Sequence, residues 1–219
     1  MKTSKLTLLA SNLAFTAAVA ILAGCASHNY DQGSATAAGL KESADKIEAA
    51  DGQLDATLAS LNDLVNNPQS DLRPQYKQFS DNVDGLASLA KHVADSVTAM
   101  RANGKEFFAK WNEQLAGIKN EDIRNRSAAR QKEVSDELQN VKRSYAETES
   151  AFKPFMSDLR DIQKYLGTDL TPGGVAAMKN VAAKGNATGA TLKQAVNKLA
   201  ADFKSLGIAM SAVAPAPAK

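Results

Sequence analysis

Between Leu72 and Ile118 the chain places its apolar side chains in alternating steps of four and three without a skip. The series is Leu72, Tyr76, Phe79, Val83, Leu86, Ala90, Val93, Val97, Met100, Gly104, Phe107, Trp111, Gln114 and Ile118, and only Gly104 and Gln114 break its apolar content. Steps that average 3.5 residues draw one narrow stripe along a helix, whereas a strand would alternate with a period of two. A helix over 71–117 is about 70 Å long at 1.5 Å per residue. A stripe of that length is buried only against other long helices. Asp71, with Pro68 just before it, supplies the start signal.

A second stripe reads Val134, Leu138, Val141, Tyr145, Thr148, Phe152, Phe155, Leu159, Ile162 and Leu166. It predicts a helix over 121–166 that stops at Gly167. Pro154 lies inside it; the unbroken periodicity favours a kink there, and an interruption at Lys153 is the alternative. Two flanking segments follow the same rule. Leu40, Ile47, Leu54 and Leu61 recur every seven residues over 39–66, and Leu192, Val196, Leu199, Phe203 and Leu206 belong to a helix over 172–209 opened by Thr171-Pro172. Residues 175–190 are rich in Ala and Gly, including Gly185 and Gly189, which predicts an interrupted or loosely packed stretch.

The fold class that follows is all-α, an elongated antiparallel helical bundle or coiled coil running up-down-up-down as one domain over 39–209. The outer segments are shorter than the two central ones, so the central pair should form a hairpin projecting beyond them around 117–122. Heptad stripes close equally well within one chain or between chains, which leaves an oligomer open.

The first 24 residues have a different layout: Lys2 and Lys5, an apolar run from Leu13 to Leu22, then small residues. This is the arrangement of a secretion signal. An uncleaved membrane helix is the alternative, but Ser11 and Asn12 interrupt the run and leave about 10 strongly apolar residues where a span needs roughly 20. Leu22-Ala23-Gly24-Cys25 resembles the bacterial lipoprotein signal at all four positions. The resemblance implies cleavage before Cys25, a diacylglycerol on its sulfur, acylation of the new α-amino group and, with Ala26 and Ser27 following, delivery to the outer membrane of a Gram-negative cell. Two or three acyl chains anchor a protein stably where one does so only marginally.

Cleavage also changes the charge balance. Losing Lys2 and Lys5 from 26 basic side chains leaves 24, against 24 acidic ones. A balanced chain gives no ground for nucleic-acid binding. Cys25 is the single cysteine, so no disulfide within the chain supports the fold. Residues 25–38, small and polar, are expected to be a flexible tether, and 210–219, ending in alternating Ala and Pro, a disordered tail.

Side chains for chemistry are scarce. There are two histidines, and Leu89 stands where a di-iron bundle would need the Glu three residues before His92. Gly104-Lys105 lacks the upstream glycine and the following hydroxyl residue of a phosphate loop. Glu133, Asp136, Glu137, Glu147 and Glu149 fit the solvated face of a long helix better than catalytic pairs. No metal site, cofactor motif or catalytic constellation is expected, and the chain is read as a non-enzyme.

One cluster rises above this background. Phe107, Phe108, Trp111, Leu115 and Ile118 lie on one arm of the hairpin, and Arg124, Arg126, Arg130 and Lys132 on the other. Arg124, Ser127 and Gln131 occupy positions that the stripe assigns to the interior, so arginine planes are expected to cover the aromatic rings. The cluster is either an ordinary hairpin core with a basic rim or a contact surface for a membrane or an envelope protein.

Tyr76, "FFAKWNEQL" at 107–115, the arginine-rich turn at 124–130, Tyr145, Pro154 and "FMSDLRDIQKYL" at 155–166 together resemble a family of bacterial envelope lipoproteins known only as a domain of unknown function. The resemblance runs from about 72 to 206 and implies a coiled-coil fold without catalytic residues. The function expected is a lipid-anchored helical scaffold or spacer at the cell envelope, facing the periplasm, with a carrier that holds a lipid in a loosely packed groove as the alternative.

Overall fold

The stripes become four helical columns in the computed structural model, which describes residues 29–211. The columns are α1 (Asn29–Asn66), α2 (Arg73–Ala116), α3 (Glu121–Thr168) and a divided fourth, α4 (Pro172–Ala177) followed by α5 (Lys179–Met210). The expected signal sequence 1–24, Cys25, residues 26–28 and the expected tail from 212 lie outside the described residues. The fold is all-α. Helix α1 packs on α2 and α5, and α3 packs on the same two, so the four columns stand around a square with consecutive columns antiparallel.

The core is built from the predicted stripe positions. Phe79, Val83 and Leu86 of α2 meet Phe155, Leu159 and Ile162 of α3, Leu54, Leu61 and Leu64 of α1, and Leu192, Leu199 and Phe203 of α5, all buried. Each fully buried Leu, Ile or Phe contributes roughly 1.5–3 kcal/mol of transfer free energy, so this shared interior is what makes the columns one unit. Polar side chains then set the register between columns. Asn62 and Asn186 exchange amide hydrogen bonds of 2.9 and 2.8 Å between α1 and α5. Between α1 and α2, Gln53 Nε2 and Thr57 Oγ1 donate to the Asn82 carbonyl at 3.0 and 3.2 Å. Tyr76 donates to the Gln163 carbonyl at 2.9 Å and so joins the start of α2 to the end of α3.

Two expectations are corrected, the tether over 29–38 and loose packing at the glycines of the last column. Residues 29–38 are the first turns of α1, not part of a tether. Their stripe is made of Gly33, Ala37 and Leu40, all buried, and small side chains let α1 approach α5 closely. A Cβ on Gly33 would stand 3.3 Å from the Met210 carbonyl oxygen, and one on Gly207 3.4 Å from that of Ala37. The extension of the stripe before Leu40 was invisible because Gly33 and Ala37 are too small to register as apolar.

The last column is interrupted within 175–190, one of the two outcomes expected for that stretch. It tightens at Met178, whose N–H reaches the carbonyl oxygen of Val175, and the α-helix resumes at Lys179. Thr171 caps α4 by accepting from Gly174 N at 3.0 Å while its hydroxyl donates to Asp169 Oδ1 at 2.8 Å. The Gly-containing part of α5 is close-packed and not loose: a Cβ on Gly189 would lie 2.7 Å from Leu58 Cδ1 and 3.3 Å from Phe155 Cε2. Pro154, by contrast, does not interrupt α3, which runs through it to Thr168.

Candidate functional site

The hairpin tip is the part of the bundle that the other columns do not cover. Gly104 is the last buried residue of α2 and Val134 the first of α3; nothing between them is buried. Column α5 ends at Met210, where Arg130 donates to the Ala209 carbonyl. Beyond that level α1 continues for four residues to Asn29, and past it only α2 and α3 remain, each able to bury its stripe against one neighbour instead of two.

Local interactions hold the turn. Asn120 caps α3 by accepting from Ile123 N at 3.1 Å, with Glu121 and Asp122 in the first turn, where the helix dipole favours acids. Arg124 reaches back and donates to the carbonyls of Ile118 and Lys119, both at 2.8 Å. Trp111 Nε1 donates to Ser127 Oγ at 2.8 Å, and Gln131 donates to Asn112 Oδ1 at 2.8 Å across the pair. The polar residues that the stripe sends inward at 124, 127 and 131 thus each have a hydrogen-bonding partner across or within the turn.

The aromatic residues pack on one another. Phe107 meets Trp111 edge-on at 5.3 Å between centroids and Phe108 at 5.7 Å, while Phe108 and Trp111 lie parallel at 6.3 Å. Pairs of this kind contribute about 0.5–1.5 kcal/mol beyond their buried area. The expected arginine cover is absent among the described residues. The cation–π contact found there is Arg101 over Tyr145 at 5.6 Å, farther down the hairpin.

The predicted site residues therefore separate into groups. Phe107, Phe108 and Trp111 are half-buried against the core. Leu115 is half-buried nearer the turn. Arg124 closes the turn, and Arg130 joins Glu133 at 2.5 Å and the end of α5. Arg126 is exposed, with no ion pair among the described residues. Sequence reasoning missed Ile123, which is 49% exposed at the extreme end of the hairpin. Its companions as exposed large hydrophobics are Ile208 at 54%, near the end of α5, and Tyr165 at 39%, at the opposite end of the rod.

Four of the five carboxylates that could have been drawn as catalytic pairs form surface ion pairs, and the fifth, Glu137, accepts from Asn140 Nδ2 at 3.5 Å. Glu133 pairs with Arg130, Asp136 with Lys132 at 2.6 Å, Glu149 with Lys153 at 2.9 Å and Glu147 with Lys198 at 3.5 Å. His92 is exposed. Among the described residues no three His, Cys, Asp or Glu side chains converge on a metal-sized site, and no helix is long and apolar enough to cross a membrane.

A second feature lies at mid-bundle. A cavity of about 80 Å³ opens between α2 and α3, lined by Ile47, Ala50 and Leu54 of α1, Ala90 and Val93 of α2, Phe152 of α3, and Leu192 and Val196 of α5 among others. Ala50 and Ala90 leave it unfilled, because each puts one methyl group where neighbouring stripe positions carry a branched side chain.

No curated protein and no solved structure matches the chain. A family model does, over residues 34–210, which takes in the bundle from the small-residue start of α1 to the end of α5; the chain belongs to the family described as "Protein of unknown function (DUF2959)".

Proposed function

We propose that the protein is a non-enzymatic, lipid-anchored helical spacer of the bacterial envelope, held by acyl groups, palmitate among them, on Cys25 in the outer membrane and facing the periplasm. The observation that carries this reading is the placement of α1. It starts at Asn29, four residues after Cys25, at the same end of the rod as the hairpin tip. An anchor there orients a rigid bundle, with the tip at 107–130 as its contact surface and an envelope protein as a possible neighbour. Surface ion pairing of the available carboxylates supports a structural role over catalysis.

The test is metabolic labelling with an alkynyl fatty acid, followed by membrane fractionation of wild type and Cys25→Ser. Label and membrane retention in the wild type, both lost in the variant, support the anchor. Unlabelled wild type, or a variant still in the membrane fraction, removes it. Cross-linking in cells from position 111 then identifies what the tip touches.

The mid-bundle cavity favours a second reading, a carrier for an apolar ligand. Mostly apolar cavities can take up small apolar molecules, and this one is lined chiefly by aliphatic and aromatic side chains, with Thr148 and Glu149 beside them. Native mass spectrometry of the purified protein decides it: a bound lipid that is lost in Ala90→Leu supports the carrier, and an empty wild type excludes it.

A further inference from the structure

We infer that the end of the hairpin seats on anionic lipid headgroups of the membrane that holds Cys25, with Ile123 entering the interface and Lys119 and Arg126 contacting headgroup phosphates. This deepens the spacer reading and rests on its anchor. Three independent observations carry it.

The first is reach. Gly33 of α1 lies against Met210 of α5, and from that level α3 continues for roughly 14 Å, the nine residues from Arg130 back to its start at Glu121. Helix α1 itself continues only four residues, about 6 Å, to Asn29. The hairpin therefore outreaches the start of α1 by roughly 8 Å, while the four residues from Cys25 to His28 span at most about 14 Å even fully extended. With the rod upright and Cys25 at the bilayer surface, the hairpin end is thus held within roughly 6 Å of that surface. A tether ending at residue 38 would have given far more slack.

The second observation is the exposed side chain. Isoleucine at the tip of a hairpin, half in solvent, is costly in water and suited to the headgroup boundary, where apolar groups lie beside basic ones. Ile208 is exposed at the same end. The third is charge. Along the hairpin Lys110, Arg130 and Lys132 are paired with Glu106, Glu133 and Asp136. Lys119 and Arg126 are exposed on either side of Ile123, with no acidic partner among the described residues. Basic groups near an anionic leaflet are attracted within a Debye length of it.

The experiment uses the full lipidated protein reconstituted into vesicles, with an environment-sensitive dye on Ile123→Cys or, at the far end, on Tyr165→Cys. Vesicles contain either phosphatidylethanolamine with phosphatidylglycerol or phosphatidylcholine alone. On anionic vesicles the dye at 123 should shift to the blue and lose about half or more of its quenching by aqueous acrylamide, while the dye at 165 stays in water. Adding Lys119→Glu and Arg126→Glu to the 123 variant should return it to the aqueous value, with helicity checked by circular dichroism. A dye at 123 that behaves like the one at 165 on anionic vesicles overturns the inference, and so does equal burial on both lipid compositions. Failure of the anchor looks different: protein that does not stay with the vesicles and takes up two dyes, because the Cys25 thiol is free.

Discussion

Gln75 is a polar residue buried to 93%, and every polar atom of its side chain is used. Its Nε2 donates to Asp63 Oδ2 at 2.6 Å and to the Asn67 carbonyl at 3.1 Å, while its Oε1 accepts from Gln69 N at 2.9 Å. These bonds satisfy backbone groups that the end of α1 and the following turn would otherwise leave open. Gln75→Ala should destabilise the protein by about 1–3 kcal/mol, the cost of leaving such groups buried and unpaired, measurable by urea unfolding. The Asn62–Asn186 exchange is a second case. A double-mutant cycle to Ala should return a coupling of about 0.5–1.5 kcal/mol, and additive single effects would mean that the pair sets register without adding stability. Asp71 acts at the surface: hydrogen bonds from the Arg73 side chain, then from its backbone, hold the carboxyl below the ordinary carboxylate value. A lowered folded pKa means that the contribution is present above the unfolded value and lost as pH falls through the folded one. The stability difference between wild type and Asp71→Asn should therefore exist at neutral pH and vanish in strong acid, which thermal melts at the two pH values would read.

The elements differ in how much strain their helices carry. Gly39 and Gly52 sit in exposed turns of α1, and a Cβ on either meets no atom within 4 Å. Replacing each by Ala should stabilise the protein by about 0.5–1 kcal/mol, since Ala loses less backbone freedom on entering a helix. The same change at Gly189 would meet Leu58 and Phe155, so a scan of α1 and α5 by thermal denaturation should separate the open glycines from the packed one. This contrast also explains what was legible beforehand. Helices α2 and α3 were readable because Phe, Leu and Val mark nearly every stripe position, and even Pro154 could not hide the period. The start of α1 was not, because Gly33 and Ala37 do the packing there through the absence of a side chain. The break at Met178 was legible only as an Ala- and Gly-rich stretch; its place depends on a tightened turn, which no periodicity reports. At the tip, the aromatic cluster and the hydrogen-bonding roles open to Ser127 and Gln131 were visible as positions, but not their partners. Ile123 lies off the stripe and gave no signal until its exposure was known.

For the molecule as a whole, the number of neighbours each column has along the rod sets the stability of each part. From Leu72 to Gly104, α2 is packed against α1 and α3, and α3 from Val134 to Leu166 against α2 and α5. Beyond Gly104 and before Val134 no residue is buried, the end of α5 is reached by Arg130 at the Ala209 carbonyl, and two of the cross-contacts are single polar bonds at 111–127 and 112–131. Local opening there costs few apolar contacts, so it should occur without disturbing the square bundle below. Hydrogen exchange followed by mass spectrometry should find amides of 108–130 exchanging through local opening, orders of magnitude faster than those of 138–166 in the same helix α3. Equal protection along the whole of α3 would show the hairpin to be cooperative with the bundle, a rigid lever and not a compliant end. Membrane contact would change the profile in one place. If the tip seats on anionic lipid, protection at 115–126 should rise on reconstitution while that of 138–166 stays fixed, because the lipid supplies the neighbour that α1 and α5 are too short to provide.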